Sequence, residues 1–152
     1  MKDPAEGPRW LIHAQDEFSD ADMLRRMGRF YLALFHYQQA ADKALKAYLL
    51  SVVGSTEVLK IHSVQSLVQV ASEVSMDFSE LGGAKKLDIY YIPTRYPSGL
   101  PGNVPSRFYT DPEEANEAAG LAKAVLEMVQ EKVAGGDPPG RDDEPPGNPQ
   151  GL

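Results

Sequence analysis

The chain contains no cysteine, which excludes disulfide stapling and thiolate metal sites. It also lacks any run of eighteen apolar residues, and no charged stretch leading into a short apolar core opens it. A soluble, cytoplasmic protein without a membrane span is expected. Positive charge is scarce: 15 Lys and Arg stand against 22 Asp and Glu, a formal net charge of −7. That balance argues against binding long nucleic acid through broad phosphate neutralisation, while leaving room for a local basic pocket. There is no GxxxxGK[ST] loop and no GxGxxG following a strand. The three histidines, His13, His36 and His62, form no short-spaced pair and no HExxH pattern, so neither a metal nor a cofactor is expected.

What is present is helical periodicity. From Pro8, the residues Trp10, Ala14, Phe18, Ala21 and Leu24 recur at helical spacing, which predicts helix one over 8–27, up to the break at "MGR". Helix two, "FYLALFHYQQAADKALKAYLLSVVG", ends at Gly54. It is apolar on more than one side, with Tyr31, Leu32, Phe35, Leu49 and Leu50 opposite Leu34, Tyr37, Ala41 and Ala44. Such a helix is central, or is shared with a second subunit, and a homodimer is expected. Its middle, with His36, Gln39, Asp42, Lys43 and Lys46, reads as the wet part. Helix three spans about 63–74. A short fourth helix after Ser79 aligns Leu81, Ala84, Leu87 and Tyr91. Pro93 and Pro97 then disfavour helix at Ile92 and Tyr96, so "IPTRYP" reads as extended. The last helix starts at "YTDPEEA", where Asp111 caps it with Pro112 in the first turn, or Thr110 and Glu113 form a capping box.

Nothing reads as a strand. The fold class is all-α, an up-and-down helical bundle of four long helices plus one short helix, over residues 6–134. Residues 135–152 hold five Gly and five Pro and one apolar residue, Leu152, which predicts a disordered tail. A chain ending at Ala134 is expected to melt within about 2 °C of the full one, because no buried contact is lost. Thermal melts of the two lengths check this, and a drop of roughly 5 °C or more would mean that the tail docks.

Two clusters suit an anionic ligand. Gln39, Lys43 and Lys46 share one side of helix two, either to hold a phosphate or to snorkel at a helix interface. Between Lys85 and Asp111 the chain gathers four of its seven tyrosines, two arginines and four prolines. Tyr90, Tyr91, Tyr96 and Tyr109 offer faces for stacking, and Arg95 and Arg107 offer forks for phosphate. The competing reading is structural, with the tyrosines sealing the bundle's end and Arg95 pairing with Asp88. The acids Asp16, Glu17, Asp20 and Asp22 read as a solvated face of helix one, and each histidine reads as a hydrogen-bonded structural residue.

The segments "FYLALFHYQQAADKALKAYL", "IHSVQSL", "LDIYYIPTRYP" and "RFYTDPEEANEAAGLAKAVLEMV" resemble, in order, the HEPN domain, the higher eukaryotes and prokaryotes nucleotide-binding domain. The resemblance runs from about Trp10 to Val133. It implies a helical bundle, usually dimeric, often paired with a minimal nucleotidyltransferase in toxin–antitoxin or related systems. Other members bind nucleotides, and many are metal-independent RNases carrying Arg, a spacer of four to six residues, then His near a late helix. No His follows His62 here, so Arg95 and Arg107 lack that partner. Arg29 and His36 fit the spacing only at the start of helix two. A non-catalytic module is expected, with a non-standard RNase built on Arg95, Tyr96 and His36, or a purely structural dimerisation module, as the alternatives.

Overall fold

The computed structural model describes residues 5–134, and the Gly/Pro-rich segment lies outside the described residues. Helix α1 (Glu6–Arg26) begins two residues before Pro8, whose missing N–H is harmless in a first turn. It stops at Gly28, whose φ of 79° lets the Arg29 N–H reach the Leu24 carbonyl at 2.8 Å. The chain then folds straight back as α2 (Phe30–Val52).

Helix α2 is the centre of the bundle. Its Leu34, Tyr37, Ala41, Leu45 and Leu49 are buried, and α1, α3 (Val64–Val74) and α5 (Pro112–Ala134) pack around it. Each fully buried Leu, Val or Phe contributes about 1.5–3 kcal/mol. On the second apolar side, Leu49 and Leu50 are buried and Tyr31, Leu32 and Phe35 half-buried within the one chain. The second apolar side is thus covered only in part within the one chain, with Tyr31, Leu32 and Phe35 left partly exposed.

The fourth element departs from expectation in start and pitch. It is a 3₁₀ segment, Met76–Tyr90, broken at Leu81 (φ −92°, ψ 18°). Phe78, Leu81, Ala84, Leu87 and Tyr90 are its buried residues, a strict period of three. A 3₁₀ helix repeats every 3.0 residues rather than 3.6, so Tyr90 takes the buried place expected of Tyr91, and Tyr91 turns outward. The following "IPTRYP" is not extended either. Ile92 accepts from the N–H groups of Arg95 (3.0 Å) and Tyr96 (3.2 Å), a turn with Pro93 in second place. Proline's own fixed φ suits that place. Only Tyr96, before Pro97, is extended (φ −129°, ψ 130°). A 3₁₀ turn (Pro97–Gly99) and a single helical turn, α4 (Pro105–Phe108), lead to α5. There Asp111 Oδ1 accepts from the Glu113 N–H at 2.9 Å, which makes Asp111 the cap.

The start of α1 touches the end of α2 without room for a side chain. A Cβ at Gly7 would stand 2.0 Å from Ser51 Oγ and 3.0 Å from the Ala47 carbonyl oxygen. Helix propensity alone would make Gly7→Ala stabilising by about 1 kcal/mol. The contact reverses the sign, and a loss of about 1–3 kcal/mol is expected. Urea unfolding checks it, with Gly7→Ala/Ser51→Ala recovering part of the loss; a more stable single variant would refute the contact.

Candidate functional site

The sequence-derived residues separate into three groups and one outlier, Arg107. Tyr90 and Tyr109 are core residues. Both are buried and meet edge to face at 5.9 Å, and the Tyr90 hydroxyl donates to Glu114 Oε2 at 2.7 Å. Burial first, then the Glu114 carboxylate, pushes the Tyr90 hydroxyl far above the usual tyrosine range. Neither ring has a face to offer a ligand.

The α2 cluster is neutralised from within. Lys43 donates to Glu17 on α1. Lys46 pairs with Asp42 at 2.8 Å, both side chains nearly inaccessible. Gln39 Nε2 donates to Gln38 Oε1 at 2.8 Å. The expected wet middle of α2 is therefore partly buried: Asp42 and Lys46 satisfy each other one turn apart, a geometry that lets an ion pair enter a core. Burial pushes the Asp42 carboxyl upward despite the Lys46 partner.

The acids of α1 are not merely a solvated face. Glu17 is 8% exposed and accepts from Lys43 and, at 2.7 Å, from His36 Nδ1. Burial would raise its pKa, but the bonds and charges of His36 and Lys43 outweigh that and hold it below the usual value. Asp22 accepts from the Tyr37 hydroxyl, which also receives Arg25 Nε at 2.8 Å. Burial, with Asp22 adding, pushes Tyr37 up to about 12. Arg25 reaches on to Asn116 of α5 at 3.0 Å, so this network ties three helices together.

Arg95, Tyr91 and Tyr96 do come together, with a partner the sequence reading missed. The exposed Arg95 guanidinium lies 4.6 Å from the Tyr91 ring centre, 4.9 Å from Tyr96 and 5.0 Å from Phe35 of α2. Its Nε donates to the Tyr91 carbonyl at 2.8 Å. Among the described residues no carboxylate pairs with Arg95. The pairing with Asp88 is not formed, because Asp88 is engaged elsewhere. It accepts from the Val64 N–H (2.7 Å), the Gln65 N–H (3.0 Å), Ser63 Oγ (3.0 Å) and Gln38 Nε2 (3.3 Å). A carboxylate serves the exposed donors at the start of α3 better than it serves a solvated arginine.

The rings continue on both sides. His62 lies parallel to Tyr91, centres 6.3 Å apart, and His36 meets Phe35 edge to face at 5.1 Å. Phe35 and Tyr91 are themselves 6.5 Å apart, so His36, Phe35, Tyr91 and His62 form a row with Arg95 over its middle. Nothing in the spacing of Phe35 or the histidines marks them, since Glu17, Tyr91 and Arg95, which they meet, are on other elements. Arg107 stands apart, beside a shallow hollow lined by Pro97, Leu100, Asn103 and Val104. Arg29 is exposed and engages Tyr31. Among the described residues, no three His, Asp or Glu are grouped to hold a metal ion, and no helix is long and apolar enough to cross a membrane.

The row of rings and its arginine lie within a fold shared with known structures. The crystal structure of TT1696 from Thermus thermophilus is 37% identical, with a TM-score of 0.72 over 83% of this chain and 97% of that one. ST0689, an archaeal HEPN homologue, is 25% identical, with a TM-score of 0.67 over 84% of this chain and 97% of its own. No curated protein matches. The model of the HEPN domain family matches residues 8–132, nearly all that the structure describes. The chain belongs to the HEPN domain family.

Proposed function

We propose that this HEPN chain is a non-catalytic module that binds a nucleotide or similar phosphate-bearing anion at Arg95 and acts with a minimal nucleotidyltransferase, as a homodimer. The observation that carries the reading is the state of Arg95: exposed, stacked among Phe35, Tyr91 and Tyr96, and without a carboxylate partner among the described residues. With Nε committed to the Tyr91 carbonyl, its two terminal nitrogens remain for an end-on contact with two oxygens of one phosphate. The turn closed on Ile92 and the buried Thr94 hold the segment, so little freedom is lost on binding. The nucleotidyltransferase partner and the toxin–antitoxin setting rest on the resemblance to the family alone, many of whose members are so paired. Titration calorimetry of the wild type against the four ribonucleoside 5′-monophosphates tests the site, and no binding below millimolar concentration would remove it. A nucleotidyltransferase reading frame beside the gene tests the partnership.

One observation favours a second reading, an RNase with a non-standard site: Glu17 orients His36 next to the ring that Arg95 covers. General acid–base catalysis by a positioned His contributes typically about 10²–10⁴-fold. Purified protein is nevertheless expected to leave a mixed RNA pool intact, because the family's Arg–spacer–His arrangement at a late helix is missing. Cleavage that disappears in His36→Ala would put the RNase reading in place of the first.

A further inference from the structure

Glu17, His36 and Lys43 form an arrangement that anion binding does not use. A carboxylate only accepts hydrogen bonds, so the 2.7 Å contact between Glu17 Oε2 and His36 Nδ1 places the proton on Nδ1. Nε2 then carries the lone pair. Lys43 on the other Glu17 oxygen favours the ionised carboxylate, and Glu17 itself is 8% exposed. The His36 ring is 31% exposed, and among the described residues Nε2 has no hydrogen-bond partner. Its edge-to-face contact with Phe35 fixes the plane of the ring. Neither His13 nor His62 is hydrogen-bonded to a carboxylate among the described residues. A buried carboxylate behind one imidazole nitrogen, with the other nitrogen open, fixes the tautomer and leaves one lone pair available as a nucleophile.

We infer that His36 Nε2 is a phosphoryl acceptor, a site of covalent histidine modification by an acyl phosphate or a nucleoside triphosphate. In the step, the Nε2 lone pair attacks the phosphorus and the N–P bond forms. The P–O bond to the leaving group breaks, and the departing carboxylate or nucleoside diphosphate takes its electron pair. Nδ1 keeps its proton, and the positive charge that develops on the ring sits against Glu17. Arg95, over the same Phe35 ring, is the nearby cation with no carboxylate of its own among the described residues. The inference does not require that Arg95 hold a nucleotide.

Incubation of the full chain with acetyl phosphate, followed by intact-mass and peptide mass spectrometry, tests it. The expected result is one acid-labile, alkali-stable phosphoryl group on His36, absent in His36→Gln and formed at least ten-fold more slowly in Glu17→Gln. Calorimetry of the same unlabelled protein against the ribonucleotides reads the anion site separately, so the two ideas can fail independently. Because the Glu17 variant risks misfolding, the wild type also gives a direct readout. Diethyl pyrocarbonate should acylate His36 faster than His13 or His62. No label on His36 when free histidine is labelled, equal labelling of the three histidines, slower acylation of His36 than of the others, or an unchanged rate in folded Glu17→Gln would each overturn the inference.

Discussion

Arg95→Ala is expected to weaken binding of a ribonucleoside monophosphate by roughly 10- to 150-fold, the loss of about 1.5–3 kcal/mol for hydrogen bonds to a charged group. Arg95→Lys should recover only part of it, because an ammonium is a point charge and cannot reproduce a planar two-bond contact. Stability will move as well. The guanidinium lies over three rings, and at an exposed site each such contact is worth about 0.5–1 kcal/mol. Binding must therefore be compared at a temperature where all variants are folded. Calorimetry with melting curves on the same samples separates the two roles. If the melting temperature falls and affinity is unchanged, Arg95 only closes the end of the bundle.

The second large effect is structural. Asp88→Ala is expected to cost about 3 kcal/mol or more, which for a domain of this size lowers the melting temperature by roughly 10 °C. Three donors at the start of α3 lose their acceptor together, and a lost cap alone costs about 0.5–2 kcal/mol. The fourth donor is the side-chain amide of Gln38, which is 0% exposed. Left without that acceptor, a buried donor costs about 1–3 kcal/mol more. Asp88→Asn keeps an acceptor oxygen but turns an NH₂ toward backbone donors, and should recover little. A variant melting within about 2 °C of wild type would show that α3 is held by its apolar face alone. The same bracket ties the 3₁₀ segment, and with it Tyr91, to the helix that follows His62. Loss of Asp88 should therefore loosen the contact between those two rings as well.

Local signals in the sequence are sufficient for the helices and most of their ends. Period 3.6 marks α1, α2, α3 and α5, and Gly28, Gly54, Ser63 and Asp111 end or cap them, because each acts on backbone groups within a turn of itself. The same logic fails at Met76–Tyr90, where tertiary packing selects a period of three and exchanges the places of Tyr90 and Tyr91. It fails again at "IPTRYP", where Pro93 acts less through its effect on Ile92 than through its own preference for the second place of a turn.

The candidate site is half legible for the same reason. Arg95, Tyr91 and Tyr96 are neighbours along the chain and can be read as a group. Phe35, His36 and His62 join them only because α2 and the approach to α3 are brought alongside. Whether an acid is solvated or buried depends on a partner that spacing along its own helix does not reveal. Glu17 and Lys43 are 26 residues apart, and Asp88 and Ser63 are 25 apart. By itself, then, the sequence determined the four long helices, most of their ends and the family resemblance. The tertiary structure alone decided which charges are neutralised, which tyrosines are sealed in the core, and that Arg95 stands among rings with no carboxylate partner among the described residues. Backbone preferences act over a few residues, whereas desolvation and ion pairing depend on what the fold brings within a few ångströms.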